Sequence, residues 1–176
     1  MRRLLIIAFL IVLSTSQKEK KEDLEKYLKA TKHCEVGDEK LKKVLLNITN
    51  GVNSTYNKTN KIFKYVRDKV KFKVYSGTKS GAVGLLKNHT GNAVDQSHLL
   101  VALLRTAGIP ARYKTGVVTL RFGTLGHIWV QAYFIGKTEK EEKWHDLDPT
   151  STKNTLEKIS NWKRSKRGKI YTEYTH

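Results

Sequence analysis

The chain has one cysteine, Cys34, in 176 residues, so it can form no intrachain disulfide. A lone thiol of this kind reads as a buried structural residue before it reads as a nucleophile. Proline is equally scarce, with two residues, and the twelve glycines follow no repeat, which excludes a fibrous repeat or a long disordered tail. Negative charge is short as well. Sixteen Asp plus Glu face 34 Lys plus Arg, a formal balance of +18. Such an excess attracts anionic partners, whether nucleic acid, acidic lipid or an acidic wall polymer. It serves equally as a solvated surface, because the charges are dispersed and not gathered into a block. A nucleic-acid face needs basic residues interleaved with aromatics. The nearest stretch, Trp162-Lys163-Arg164-Ser165-Lys166-Arg167, is short.

The longest apolar run is ten residues, Leu4 to Leu13, after a basic Met1-Arg2-Arg3. That is short for a membrane span and right for a signal peptide, with small residues suited to cleavage after Ser16. We read residues 1–16 as a signal peptide or a short anchor, 17–23 as a charged lead-in and 24–176 as a single domain. Membrane anchoring through residues 4–13 is the alternative. Either way the body faces outward, secreted or at the cell surface, and nucleic acid is not an expected partner. Four glycosylation sequons, at Asn47, Asn53, Asn57 and Asn88, fit an exported surface.

With 39% hydrophobic residues the body can build a core. Leu24, Tyr27 and Leu28 recur at helical spacing, as do Leu41, Val44, Leu45 and Ile48. Ser54 can cap a third helix with the stripe Ile62, Phe63, Val66 and Val70. Phe72 to Tyr75 reads as a short extended piece before the loop 76–81. From Ala93 an apolar helix runs to Leu104 and stops at Gly108-Ile109-Pro110; nearly uncharged, it should be the buried centre. Ala111 to Leu120, His127 to Ile135 and Trp144 to Leu147 read as strands, with a charged turn at 138–143. Helices followed by an antiparallel sheet make an α+β order.

Three features carry chemistry. Gly91-Asn92 opens the buried helix at Ala93, where backbone N–H groups and the helix dipole stabilise a thiolate and an oxyanion. His127 begins one strand, beside Trp129, and Asp148 ends the next. Adjacent strands can set the two side by side, so that a carboxylate orients an imidazole base. His98 reads as a packed helix residue. No His-x₃-His or cysteine pair makes a metal set, and no cofactor is expected.

These blocks, Gly91-Asn92-Ala93-Val94-Asp95-Gln96-Ser97-His98, Ala107-Gly108-Ile109-Pro110-Ala111-Arg112-Tyr113, Gly126-His127-Ile128-Trp129 and Asp148-Pro149-Thr150-Ser151, resemble the transglutaminase-like superfamily. Tyr27 to Cys34, Ile62 to Asp68, Lys79 to Gly84 and Asn161-Trp162 are similar to its archaeal pseudomurein endoisopeptidase branch. Ser80 departs from that branch, which has an aromatic there. The resemblance implies a papain-like core and cleavage of isopeptide cross-links in the wall polymer pseudomurein. It implies a Cys-His-Asp triad whose nucleophile position is 93, whose base is His127 and whose orienting acid is Asp148. It suggests Tyr75, Asn92 and Trp129 as substrate contacts, and a dependence on divalent cations that nothing in the sequence pattern supports. Ala93 holds the place where cysteine belongs, so this form should be inactive. Two accounts of Ala93 stay open, an engineered Cys-to-Ala change and a natural pseudoenzyme that binds wall polymer. A protein-crosslinking transglutaminase is the other alternative. A monomer that binds a wall peptide or glycopeptide polymer is expected.

Overall fold

The structure, a computed structural model, describes residues 23–164 and 168–176. The segments read as signal and lead-in lie outside the described residues, Asp23 apart.

Helix α1 spans Glu39–Thr49 and is capped by Asp38, whose carboxylate accepts from the Lys40 amide at 2.8 Å. Helix α2 spans Thr55–Lys69, begins at the expected Ser54 cap, and buries Thr59, Ile62, Phe63 and Val66. Its last turn carries Arg67 and Lys69, favourable at the negative end of the helix dipole. Strand β1 (Lys71–Phe72) pairs in parallel with β2 (Thr90–Gly91), and helix α3 (Gly81–Asn88) lies between them. The extended piece expected at Phe72 to Tyr75 overlaps β1 at Phe72 alone, and neither the pairing with β2 nor α3 is visible in the sequence pattern. Two-residue strands show no alternation, and α3 is eight residues long with two glycines and no side-chain cap.

Helix α4 (Ala93–Thr106) is the centre, and every residue from Asp95 to Arg105 is buried. Burying a large aliphatic side chain stabilises by about 1.5–3 kcal/mol, and α4 buries Leu99, Leu100, Leu103 and Leu104 completely. The helix ends at Gly108, whose φ of +75° is left-handed, while the Ile109 amide returns to the Leu104 carbonyl at 2.9 Å. Arg105 is buried there and donates to the carbonyls of Lys29, Ala111 and Thr172, joining three distant segments.

Strands β3 (Ala111–Leu120), β4 (Gly123–Ile135), β5 (Glu142–Leu147), β6 (Lys163–Arg164) and β7 (Ile170–Tyr171) form an antiparallel sheet in the order β5-β4-β3-β6, with β7 also on β3. β4 begins four residues before the expected His127. The pairing of Leu120 with Gly123 closes a two-residue hairpin at Arg121-Phe122, which hydrophobic alternation cannot reveal. The face carrying Ile128, Val130, Ala132 and Phe134 packs into the α4 core, and a smaller cluster gathers Val118, Trp129 and Trp162. The α+β order with a buried central helix therefore holds.

Candidate active site

The first turn of α4, the loop before α3 and the β3–β4 hairpin enclose a cleft of about 880 Å³. Ala93 and His127 both line it, as do Tyr75, Asn92, Gly126, Thr150 and Trp162. The amides at a helix start have no partner within the helix, so the Ala93 end offers donors and positive potential to the cleft. A Cβ at Gly91 would stand 2.5 Å from Leu85 Cδ1 and 3.1 Å from Asp95 Cβ, so any larger residue there would force the Leu85 side chain to move.

His127 and Asp148 meet through Nε2 and Oδ2 at 3.0 Å, which leaves Nδ1 as the other ring nitrogen. Asp148 is completely buried and fully bonded. Its Oδ1 accepts from the Thr150 amide at 3.0 Å and the Thr150 hydroxyl at 2.7 Å, and its Oδ2 also accepts from the Trp162 indole N–H. Asn154 holds the Asp148 carbonyl at 2.9 Å. Burial alone would raise this carboxyl, but the bonds from His127, Thr150 and Trp162 outweigh it and hold it below the usual carboxylate range. The acid is thus fixed as an anion facing the imidazole. Trp129 stacks beside the His127 ring with centroids 6.3 Å apart, and Trp162 meets it edge-on at 5.9 Å.

Of the three expected substrate contacts, Tyr75 and Asn92 line the cleft and Trp129 does not. Trp129 is wholly buried behind His127 and forms no part of the cleft wall; it supports the ring. Asn92 reaches the wall, but its amide is occupied at both ends. Oδ1 caps the Asp95 amide at 2.9 Å, and Nδ2 donates to the carbonyls of Tyr75 and Gly77 at 2.9 and 2.8 Å. Tyr75 lines the cleft with its hydroxyl given to Asp95. Burial and that bond push the phenol up to about 12, so it stays a donor to the carboxylate and does not serve an oxyanion.

Asp95 itself is a residue that sequence reasoning missed. It is fully buried and accepts from the amides of Lys79, Ser80 and Gly81 and from Tyr75, so it ties the cleft-forming loop to the start of α4. An acid in the first turn of an otherwise apolar helix was the available signal. Trp162 was missed as the partner of Asp148, and no local spacing announces it.

The remaining candidates are structural. Cys34 is buried and pushed up to about 11 by that burial, which keeps it a protonated thiol. His98 is buried between the Thr78 hydroxyl and the Tyr113 hydroxyl, each 3.0 Å away, and burial followed by His33 pushes it down to about 4. Asp146 accepts from Gln131 and pairs with Lys114. No group of three acidic, histidine or cysteine side chains among the described residues is placed to hold a metal ion.

The fold and site set a His–Asp pair and the start of a buried helix on one cleft. The family model of the transglutaminase-like superfamily matches residues 42–149, and the chain belongs to that superfamily. A crystal structure of a candidate cysteine protease from Cytophaga hutchinsonii is 26% identical, with a TM-score of 0.61 over 85% of this chain and 51% of that one. The periplasmic domain of TgpA from Pseudomonas aeruginosa, bound to ethylmercury, is 19% identical with a TM-score of 0.52, covering 70% of this chain and 47% of its own. A structure described as a TGase is 16% identical, with a TM-score of 0.51 over 65% of this chain and 31% of that one. The last two share the fold alone. This chain spans about half the length of the first two structures. No curated protein matches.

Proposed function

We propose that the chain is the frame of a cysteine endoisopeptidase for the peptide cross-links of archaeal pseudomurein. With Ala93 at the nucleophile position, it binds that polymer and does not cut it. The observation that carries this reading is the His127–Asp148 pair at 3.0 Å, buttressed by Thr150 and Trp162, on the same cleft as the start of α4. Nε2 is committed to Asp148, so Nδ1 is the nitrogen that would take the proton of a thiol at position 93. The thiolate would attack the amide carbonyl, with the oxyanion met by the helix-start amides. His127 would return the proton to the leaving amine and then deprotonate the water that releases the acyl group. A methyl group can form no such thioester.

Charge favours hydrolysis over crosslinking. Transfer needs the neutral amine of a lysine that arrives as an ammonium, and no Asp or Glu among the described residues lines the cleft to receive that cation. The balance of +18 repels it further. Water has no such barrier. The test compares the present chain with Ala93→Cys on purified pseudomurein, scoring free amine and free carboxylate released. We expect release only from Ala93→Cys, with retention of polymer by both. Release by neither, with fluorescent amine incorporated instead, would make it a transferase.

A further inference from the structure

Among the described residues two side-chain amides line the cleft, Asn92 and Asn161. Asn92 is bonded at both ends within the fold. Asn161 is not. Its Oδ1 is buried with no hydrogen-bond partner, and among the described residues its Nδ2 has no acceptor. The polar groups beside it are committed elsewhere, since the Thr150 hydroxyl and the Trp162 indole both serve Asp148. A buried acceptor without a partner lowers stability, so a native structure that keeps one calls for an explanation. The backbone around Asn161 is meanwhile held on both sides. Asn154, itself completely buried, accepts from the Ser160 amide at 2.8 Å and donates to the Asp148 carbonyl at 2.9 Å. Trp162 is buried on the other side, with its indole N–H on Asp148 Oδ2, the oxygen that faces His127. Asn161 is thus stationed between two residues fastened to the acid that orients the base.

Resting on the endoisopeptidase reading, we propose that Asn161 is a substrate-binding residue. Its Nδ2 donates to the carbonyl, and its Oδ1 accepts from the N–H, of one residue of an extended substrate peptide. The chemistry of the group selects this ligand. A side-chain amide carries a donor end and an acceptor end and no charge. In an extended chain the N–H and C=O of a single residue point to the same side, which is how paired antiparallel strands exchange two bonds at one residue. The amide of Asn161 therefore reproduces the partner residue of such a pair. No Asp, Glu, Lys or Arg among the described residues lines the cleft, so the contact is one between neutral groups. The last torsion of asparagine is broad, and the buried Oδ1 can turn outward at little cost. Because the backbone is fixed in advance, little ordering is left for binding to supply.

The present chain, with Ala93 at the nucleophile position, allows binding to be measured without turnover. The probe is lysine amide acylated on Nε with acetyl-alanyl-alanine. Two companions have one alanine or the other replaced by lactic acid, which puts an ester oxygen in place of that residue's N–H. Calorimetry should show one of the two companions binding roughly tenfold more weakly than the probe, the effect of one hydrogen bond lost and its acceptor left unpaired. Asn161→Ala should bind the probe roughly tenfold more weakly and should no longer distinguish it from that companion. The same variant removes a buried acceptor that has no partner, so its urea midpoint should hold or rise. A lowered midpoint with unaltered binding would show that the amide serves the fold and would overturn the assignment. An ester penalty that persists in Asn161→Ala would overturn it as well, as would a loss of binding confined to N-acetylglucosamine. The underlying reading fails separately. If Ala93→Cys neither alkylates fast nor cleaves, the enzyme frame falls, while the comparison of amide with ester in the unaltered chain still decides Asn161.

Discussion

A cysteine installed at position 93 should differ in kind from Cys34. At the start of α4 and on the His127 cleft, its pKa should fall into the reactive range of about 3.5–7.5, while Cys34 is buried and held up at about 11. Ala93→Cys should therefore take up iodoacetamide at pH 7 at least tenfold faster than Cys34, read by mass spectrometry of the two peptides. Adding His127→Ala should slow that alkylation toward the rate of a free thiol and abolish cleavage. Asp148→Ala should hurt less, because Asp148 orients the ring and does not itself carry the proton. A thiol at 93 that reacts no faster than free cysteine would end the triad reading. At this scale the sequence was legible where placement follows the elements: position 93 opens a helix, His127 lies in a strand, and Asp148 follows one. It was not legible where roles depend on what a side chain's far end touches. Asn92, Tyr75 and Trp129 have the chemistry of ligand contacts, and their polar or aromatic ends are spent on Asp95, the 75–77 loop and the His127 ring.

Two buried polar devices fasten the elements around α4, and each gives a measurable signature. Asp95 gathers three consecutive amides of the loop before α3. Asp95→Ala would leave those donors unpaired, at about 3 kcal/mol or more in urea unfolding, and should speed hydrogen exchange at Lys79, Ser80 and Gly81. Unchanged exchange there would show that the loop is held by something else. His98, with Thr78, Tyr113, His33 and Asp95 around it, is neutral in the fold down to about 4, against 6.5 ordinarily. Between those values the unfolded chain binds a proton that the folded chain refuses, so unfolding is favoured as pH falls. Stability from this group is whole above about pH 6.5 and lost by about pH 4, roughly 3 kcal/mol in all. His98→Gln should flatten the urea midpoint across that window; a wild-type midpoint constant from pH 7 to 4.5 would refute the assignment. Helices α1 and α2 were readable from apolar stripes at 3.6-residue spacing, α2 also from its Ser54 cap, and α4 from a nearly uncharged apolar run bounded by Gly91 and Pro110. Helix α3 and the β1–β2 pair were not, because tertiary contacts hold them and their own pattern does not: Asp95 below and Gly91 against Leu85.

For the whole molecule, the excess of 34 basic over 16 acidic residues sets how it meets an anionic polymer. If the charge serves attachment, retention on purified wall material should drop steeply between about 50 and 500 mM salt, since exposed charges are screened over about 8 Å at physiological ionic strength. Retention indifferent to salt would leave the lysines as surface solvation. The antiparallel sheet was legible in order but incomplete in membership, because β6 and β7 are two-residue strands far from β3 in sequence. Their return has a consequence for timing. Gly168 passes so close to Thr115 that a Cβ would fall 1.4 Å from its carbonyl oxygen, and the same returning segment delivers the Trp162 indole to Asp148. Pairings over such sequence distances form late, after local helices and hairpins. The bonding of the carboxylate that faces His127 is therefore complete only once this C-terminal segment has docked on β3.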